Sequence, residues 1–80
     1  DRAVADMRLL HAYIAVREYR LALVLADTAI PAYQSAPSQR AHRHLARAHT
    51  LVRNRRRNDA DPLLQALGAR IRNATQGDPS

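Results

Sequence analysis

The 80-residue chain has no cysteine, tryptophan or phenylalanine, and all 13 of its cationic side chains are arginine, so lysine is absent too. Without cysteine it can form no disulfide, thiolate zinc site or iron–sulfur cluster, and it offers no thiol nucleophile. Tyrosine, at three positions, is its only aromatic residue, and alanine is abundant, so little volume is available to fill a core. A chain of this length forms one domain of modest stability, and we expect it to rely on a second copy or another partner.

Long apolar runs are also missing. No stretch approaches the roughly 18 apolar residues that a membrane span requires. The first residues of the chain include Arg2 but also the acidic Asp1 and Asp6. A secretory signal would not carry acidic residues at these positions. We therefore expect a cytoplasmic protein that does not associate with membranes.

Glycine and proline are too scarce to interrupt the first part of the chain, since residues 2–30 contain neither. No alternation typical of strands persists there, which predicts an all-α fold. Pro31 is expected to end or kink this first helical region. The Ala36-Pro37-Ser38 segment then breaks the chain, and Ser38 is expected to cap a second helix. The predicted core stripe of that helix contains Ala41, Leu45, Ala48, Leu51 and Val52.

A third helix is predicted after residues 54–58, a segment without apolar side chains that we interpret as a frayed helix end and a loop. Asp59 or Asp61 is expected to cap this helix, with Pro62 as its first residue. Its predicted core face contains Leu63, Leu64, Leu67 and Ile71. The domain is expected to span residues 1–74, followed by a disordered tail at residues 75–80.

The first tract is expected to break near Arg17–Glu18. A single helix over residues 2–30 would be about 42 Å long, far above the usual length in a small domain. The break gives two antiparallel helices, packed through the small residues Ala12, Ala15, Ala22 and Ala26. The alternative is one long helix, whose apolar stripe would contain Met7, Leu10, Ile14, Leu21 and Val24, followed by two shorter helices.

With that break, the chain resembles the tetratricopeptide repeat, a helix–turn–helix unit of about 34 residues. Leu9 and Tyr13 match its Leu and Tyr, whereas Asp6 stands in place of its Trp. A second copy begins 36 residues later, where Leu45 and His49 repeat the spacing of Leu9 and Tyr13. The resemblance implies antiparallel helical hairpins that bind a peptide or protein segment.

We therefore expect a protein–protein interaction module, either as part of a bacterial regulator or as a self-associating domain, with no cofactor. An arginine- and alanine-rich composition is typical of GC-rich bacterial genomes. The single-long-helix alternative instead resembles the AroQ-type chorismate mutases, which implies that Arg17, Gln39 and Arg47 hold substrate carboxylates. The chain lacks that family's Lys, so an enzyme is the less favoured interpretation and no catalytic residue is assigned.

Positive charge is concentrated in one segment. Residues 1–36 contain four Arg and four acidic residues, residues 37–57 contain seven Arg and no acidic residue, and the whole chain carries a net charge of +6. Such a segment can bind an acidic protein surface or, as the alternative, nucleic acid through residues 40–57. No aromatic residue lies between the arginines to stack on bases. The candidate binding residues are Arg40, Arg43, Arg47, Arg53, Arg55, Arg56 and Arg57.

Three of the four histidines lie in the same segment. His42 and His49 share a helix face, and His44 lies elsewhere on the helix. Residues 37–57 contain no carboxylate or thiolate to complete a zinc site, so we expect no metal.

Overall fold

The computed structural model describes residues 2–76, which form four helices and no strand. The prediction of an all-α fold is confirmed. None of the four helices is long and apolar enough to cross a membrane within the part of the chain that is described. The helices are α1 (Arg2–Ala15), α2 (Tyr19–Ser35), α3 (Gln39–Arg56) and α4 (Pro62–Gln76).

The chain turns between α1 and α2 at the predicted place. Arg17 has a φ of 65°. The Glu18 N–H donates to the Tyr13 carbonyl at 2.8 Å, and the Arg17 N–H donates to the Ile14 carbonyl at 3.1 Å. These two bonds form the helix-ending Schellman motif, whose left-handed residue is usually glycine and here is arginine. The alternative of one long first helix is therefore wrong.

This turn changes the rotational phase of the helix, so the apolar stripe of a continuous helix does not form. Met7, Leu10 and Ile14 are fully buried on α1, whereas Leu21 is 47% exposed and Val24 is 62% exposed on α2.

The small residues expected between α1 and α2 divide in the same way. Ala22 and Ala26 are buried, as predicted. Ala12 and Ala15 are exposed, and their predicted role is wrong, because α1 turns its larger apolar side chains toward the core.

The two hairpins, α1–α2 and α3–α4, stack with α1 against α3 and α2 against α4. Arg55, near the end of α3, donates to the carbonyls of Ile14 and Ala15 at the end of α1. Tyr19, at the start of α2, donates to Asp59, shortly before α4. Neighbouring helices of the two hairpins therefore run in the same direction. One layer contains α1 and α3, the other contains α2 and α4, and the Cα atoms span 33 × 27 × 18 Å.

The core lies between these layers, and the hydroxyls of Tyr19 and Tyr33 are the only polar side-chain groups of its buried residues in the described part of the chain. The predicted faces of α3 and α4 are confirmed, with Leu51 and Leu63 at the partly buried edge. The buried stripes of α1 and α3 correspond at a spacing of 38 residues rather than the expected 36. The corresponding residues are Met7 and Leu45, Leu10 and Ala48, and Ile14 and Val52.

Side chains cap α3 and α4 as predicted. The Ser38 hydroxyl oxygen accepts the Ala41 N–H at 3.1 Å, and an Asp61 carboxylate oxygen accepts the Leu63 N–H at 2.9 Å. Asp59 accepts the Asp61 N–H at 3.0 Å, which orders the loop before α4. These bonds satisfy N–H groups that the helices themselves leave free.

Three predicted boundaries differ from the structure. Of the two effects expected of Pro31, an end or a kink, the end is wrong, because α2 continues to Ser35. Residues 54–56 belong to α3 rather than to a loop, because Arg55 and Arg56 contact the neighbouring helices. The expected tail at residues 75–80 begins inside α4, which extends to Gln76, and residues 77–80 lie outside the described residues.

Candidate functional site

The predicted basic segment does not form one surface in the structure. Because α3 lies between α1 and α4, side chains on its two sides face different helices. Arg40 and Arg47 lie near His44 on the α1 side, and Arg53 lies near His49 on the α4 side. Arg43 is exposed. The concentration of arginine in one segment therefore did not specify which arginines face the same neighbouring helix.

On the α1 side, α1 adds two further side chains to the basic surface, which we call the α1/α3 face. Partial burial lowers the pKa of His44, and the nearby positive charges lower it further. The only acidic residue in α1 or α3 is Asp6, which lies 3.8 Å from Arg2. The α1/α3 face consists of Arg8, His11, Arg40, His44 and Arg47.

A groove of about 460 Å³ crosses this face between the two helices. Arg47 and His11 line it together with the apolar side chains of Ala46 and Leu51. Thr50 and Asn54 complete the lining. The groove thus combines an apolar floor with hydrogen-bonding groups and positive charge.

On the α4 side, a second groove of about 590 Å³ lies between α3 and α4. We call it the α3/α4 groove. His49, Arg53 and Arg56 follow one another along one side of α3, and Arg72 approaches from α4. Partial burial lowers the pKa of His49, and the charges of Arg53 and Arg72 lower it further. The remaining lining residues are Val52, Gln65, Gly68 and Ala69.

Arg55, one of the predicted binding residues, lines neither of these grooves and instead contacts the end of α1. Its guanidinium donates to the carbonyls of Ile14 and Ala15, the latter at 3.3 Å, and so joins the end of α3 to the end of α1. Arg57 is exposed and lies beside Arg53 and Arg56, around a small depression of about 340 Å³.

The Tyr19–Asp59 pair close to Arg55 joins the two hairpins. The Tyr19 hydroxyl donates to Asp59 at 2.9 Å. Burial and this bond raise the pKa of Tyr19. The Asp61 N–H and the Tyr19 hydroxyl stabilise the Asp59 carboxylate and lower its pKa. Every partner here belongs to the junction, so the pair has a structural role.

The residues implied by the mutase resemblance do not come together. Arg17 lies at the end of α1, next to the end of α3, whereas Gln39 begins α3. A helix of 18 residues separates these two ends of the bundle by about 27 Å.

Within the part of the chain that is described, no three His, Asp or Glu side chains lie together in a group that could hold a metal ion. The Tyr33 hydroxyl oxygen and the His42 Nδ1 are 2.9 Å apart and share a hydrogen bond that joins α2 to α3.

Sequence reasoning missed Arg8 and Arg72, which complete the two basic surfaces. Both lie in segments without net positive charge, and only the pairing of α3 with α1 and with α4 places them beside the arginines of residues 37–57. Comparison of the chain with protein-family models, with characterised proteins and with solved structures gives no significant match.

Proposed function

We propose that this chain is a protein–protein interaction module that binds an acidic protein segment on the α1/α3 face. The observation that carries the proposal is the meeting of Arg8 from α1 with Arg40 and Arg47 from α3, around His44. Because Asp6 is the only carboxylate on these two helices, most of this charge has no partner on them. Arginine forms paired hydrogen bonds with carboxylates, so acidic side chains suit the face.

The groove on this face favours a protein segment over nucleic acid. Leu51 and Ala46 offer apolar contact, and Thr50 and Asn54 offer hydrogen-bonding groups to a peptide backbone. No Tyr lines the groove, and His11 carries its only ring, so successive bases have little on which to stack.

The stacked hairpins also support the proposal. A layer made by the first helix of each hairpin is the arrangement that the tetratricopeptide resemblance implies, and such layers form recognition surfaces in repeat proteins. The proposed module has two hairpins, fewer than the three or so that repeat arrays need for stability.

A second copy would supply the missing contact, so we also propose self-association. Among the described residues, all the exposed large apolar side chains lie in the first hairpin and its turn: Leu9, Val16, Leu21 and Val24. Light scattering at micromolar concentration should give a dimer, and replacing Leu21 and Val24 with Gln should give a monomer. A compact wild-type monomer at that concentration contradicts self-association.

Fluorescence anisotropy with a labelled oligoglutamate peptide tests the binding proposal. Combined replacement of Arg8, Arg40 and Arg47 with Gln should weaken binding by about tenfold or more, since each lost charge-assisted bond contributes to affinity. The matched control replaces three arginines of the α3/α4 groove with Gln and so lowers the net charge by the same amount. It should change affinity by less than about threefold. The control residues are Arg53, Arg56 and Arg72.

Equal loss in the two triple variants would indicate attraction to net charge alone and contradict the proposed face. A random DNA duplex provides the second comparison. If the duplex binds through Arg8, Arg40 and Arg47, with an affinity that falls with salt at a log–log slope of about −0.9 for each phosphate contacted, the partner is nucleic acid instead.

A further inference from the structure

We infer a second binding site in this chain: the α3/α4 groove binds a small ligand that carries two or more phosphate groups. The inference goes beyond the proposed protein-binding function, because it concerns another surface, another pair of helices and another class of ligand.

The positions of the arginines provide the first argument. Arg53 and Arg56 line the groove from α3, and Arg72 lines it from α4, so guanidinium groups face the space from both walls. A guanidinium donates two parallel hydrogen bonds to phosphate oxygens. The volume of about 590 Å³ lies within the range of small-molecule sites, about 300–1,000 Å³.

The lack of counter-ions provides the second argument. The ion pairs among the described residues are those of Arg2 with Asp6 and of Arg70 with Asp27, and no residue that lines the groove takes part in one. No acidic residue lines the groove. Three guanidinium charges in one groove repel one another, and an anion bound between them removes that repulsion. A single carboxylate would leave excess positive charge, whereas a polyphosphate balances it.

The pKa of His49 responds to arginines on both walls of the groove. This pKa is lowered first by partial burial and then by Arg53 and Arg72, which belong to different helices. The imidazole therefore stays neutral near neutral pH, and its ring N–H remains available as a donor to a phosphate oxygen.

Gly68 accounts for the shape of the groove. A Cβ atom at this position would lie 3.2 Å from Val52 Cγ1 and 3.5 Å from Arg56 Nη1. The missing side chain lets α3 and α4 approach closely and leaves room for the Arg56 side chain beside Gly68. Ala69 beside it is exposed and small, so it keeps the groove open.

Isothermal titration with inorganic tripolyphosphate tests the site. The wild-type chain should bind with saturation at one ligand per chain. Replacing Arg53, Arg56 and Arg72 with Gln should weaken binding by about a hundredfold or more, since each lost contact is worth roughly a factor of five to ten. The matched control replaces Arg8, Arg40 and Arg47 with Gln. It removes the same charge and should change affinity by less than about threefold.

A variant of unchanged charge separates a built site from attraction to net charge. Ala69→Leu places bulk in the groove at an exposed helical position, so the fold should persist, as circular dichroism can verify. It should weaken tripolyphosphate binding by about tenfold. As an independent readout, tripolyphosphate should raise the pKa of His49 in an NMR titration of the wild-type chain.

Any of the following outcomes overturns the inference: no saturable binding by wild type, equal loss in the two triple variants, or wild-type affinity in a folded Ala69→Leu chain. A random DNA duplex that displaces tripolyphosphate through the same three arginines would assign the groove to a nucleic-acid backbone, which also overturns it. These results leave the oligoglutamate experiment unaffected, because that experiment depends on Arg8, Arg40 and Arg47.

Discussion

Arg17 is expected to lower the stability of the fold, and its replacement with glycine should raise it. Its φ of 65° lies in the left-handed region, where the Cβ of an L-residue crowds the following carbonyl oxygen. Glycine has no Cβ and adopts this conformation freely. The Schellman bonds that end α1 involve main-chain atoms alone, so Arg17→Gly leaves them in place.

The expected gain is the difference between two opposing effects. The left-handed conformation costs an L-residue about 1–2 kcal/mol. Glycine gives the unfolded chain more freedom, which costs about 0.4–1 kcal/mol on folding. The net stabilisation is therefore about 0.5–1 kcal/mol, which corresponds to roughly 4 °C in Tm for a domain of this size.

The charge of Arg17 needs its own control, because it contributes to the lowered pKa of Asp59 and so attracts that carboxylate. Arg17→Ala removes the charge but keeps the Cβ, so the comparison of Gly with Ala isolates the backbone effect. Circular dichroism at 222 nm during thermal unfolding, at low and at high salt, supplies the measurement. A glycine variant no more stable than the alanine variant would refute the reasoning.

Three further outcomes are expected. Tyr19→Phe should lower the free energy of unfolding by about 1 kcal/mol in urea at neutral pH, since the hydroxyl bond to Asp59 is lost; unchanged stability would mean that this bond does not hold the hairpins together. Leu67→Ala should cost about 2–5 kcal/mol, a large part of the total for a small domain, and a cost below about 1 kcal/mol would contradict tight packing at that fully buried position. Folding lowers the pKa of His44 and His49, so the unfolded chain takes up protons before the folded chain does as the pH is lowered through 6.5. The free energy of unfolding should therefore decrease as the pH is lowered, until the pH passes the folded-state pKa values. Replacing both histidines with Gln should flatten that dependence in chemical denaturation series, and an unchanged slope would exclude them as its source.

Local signals in the sequence were enough to predict the helix ends that depend on neighbouring residues. Ser38 and Asp61 cap helices through their own side chains, and the core stripes of α3 and α4 follow from helical spacing. Pro31 illustrates the limit of such signals. It lies within α2, where four further residues continue the helix to Ser35.

The candidate surfaces depend on which helices become neighbours, and the order of residues along one helix does not specify this. Arg55 lies among the predicted binding arginines, yet it donates to carbonyls of α1. Arg8 and Arg72 come from segments without net positive charge and reach the basic surfaces only through the stacking of the hairpins.

The parallel stacking of the hairpins has a consequence for symmetry. Placing α3–α4 on α1–α2 in the same orientation resembles a translation, and repeating a translation extends an array without closing it. A dimer formed through the exposed apolar side chains of the first hairpin would instead require a twofold axis, which joins like surfaces and stops at two copies. In such a dimer the second hairpins lie at opposite outer ends. Each copy would then keep its own α3/α4 groove open, and two phosphate ligands would bind far enough apart for salt to screen one from the other.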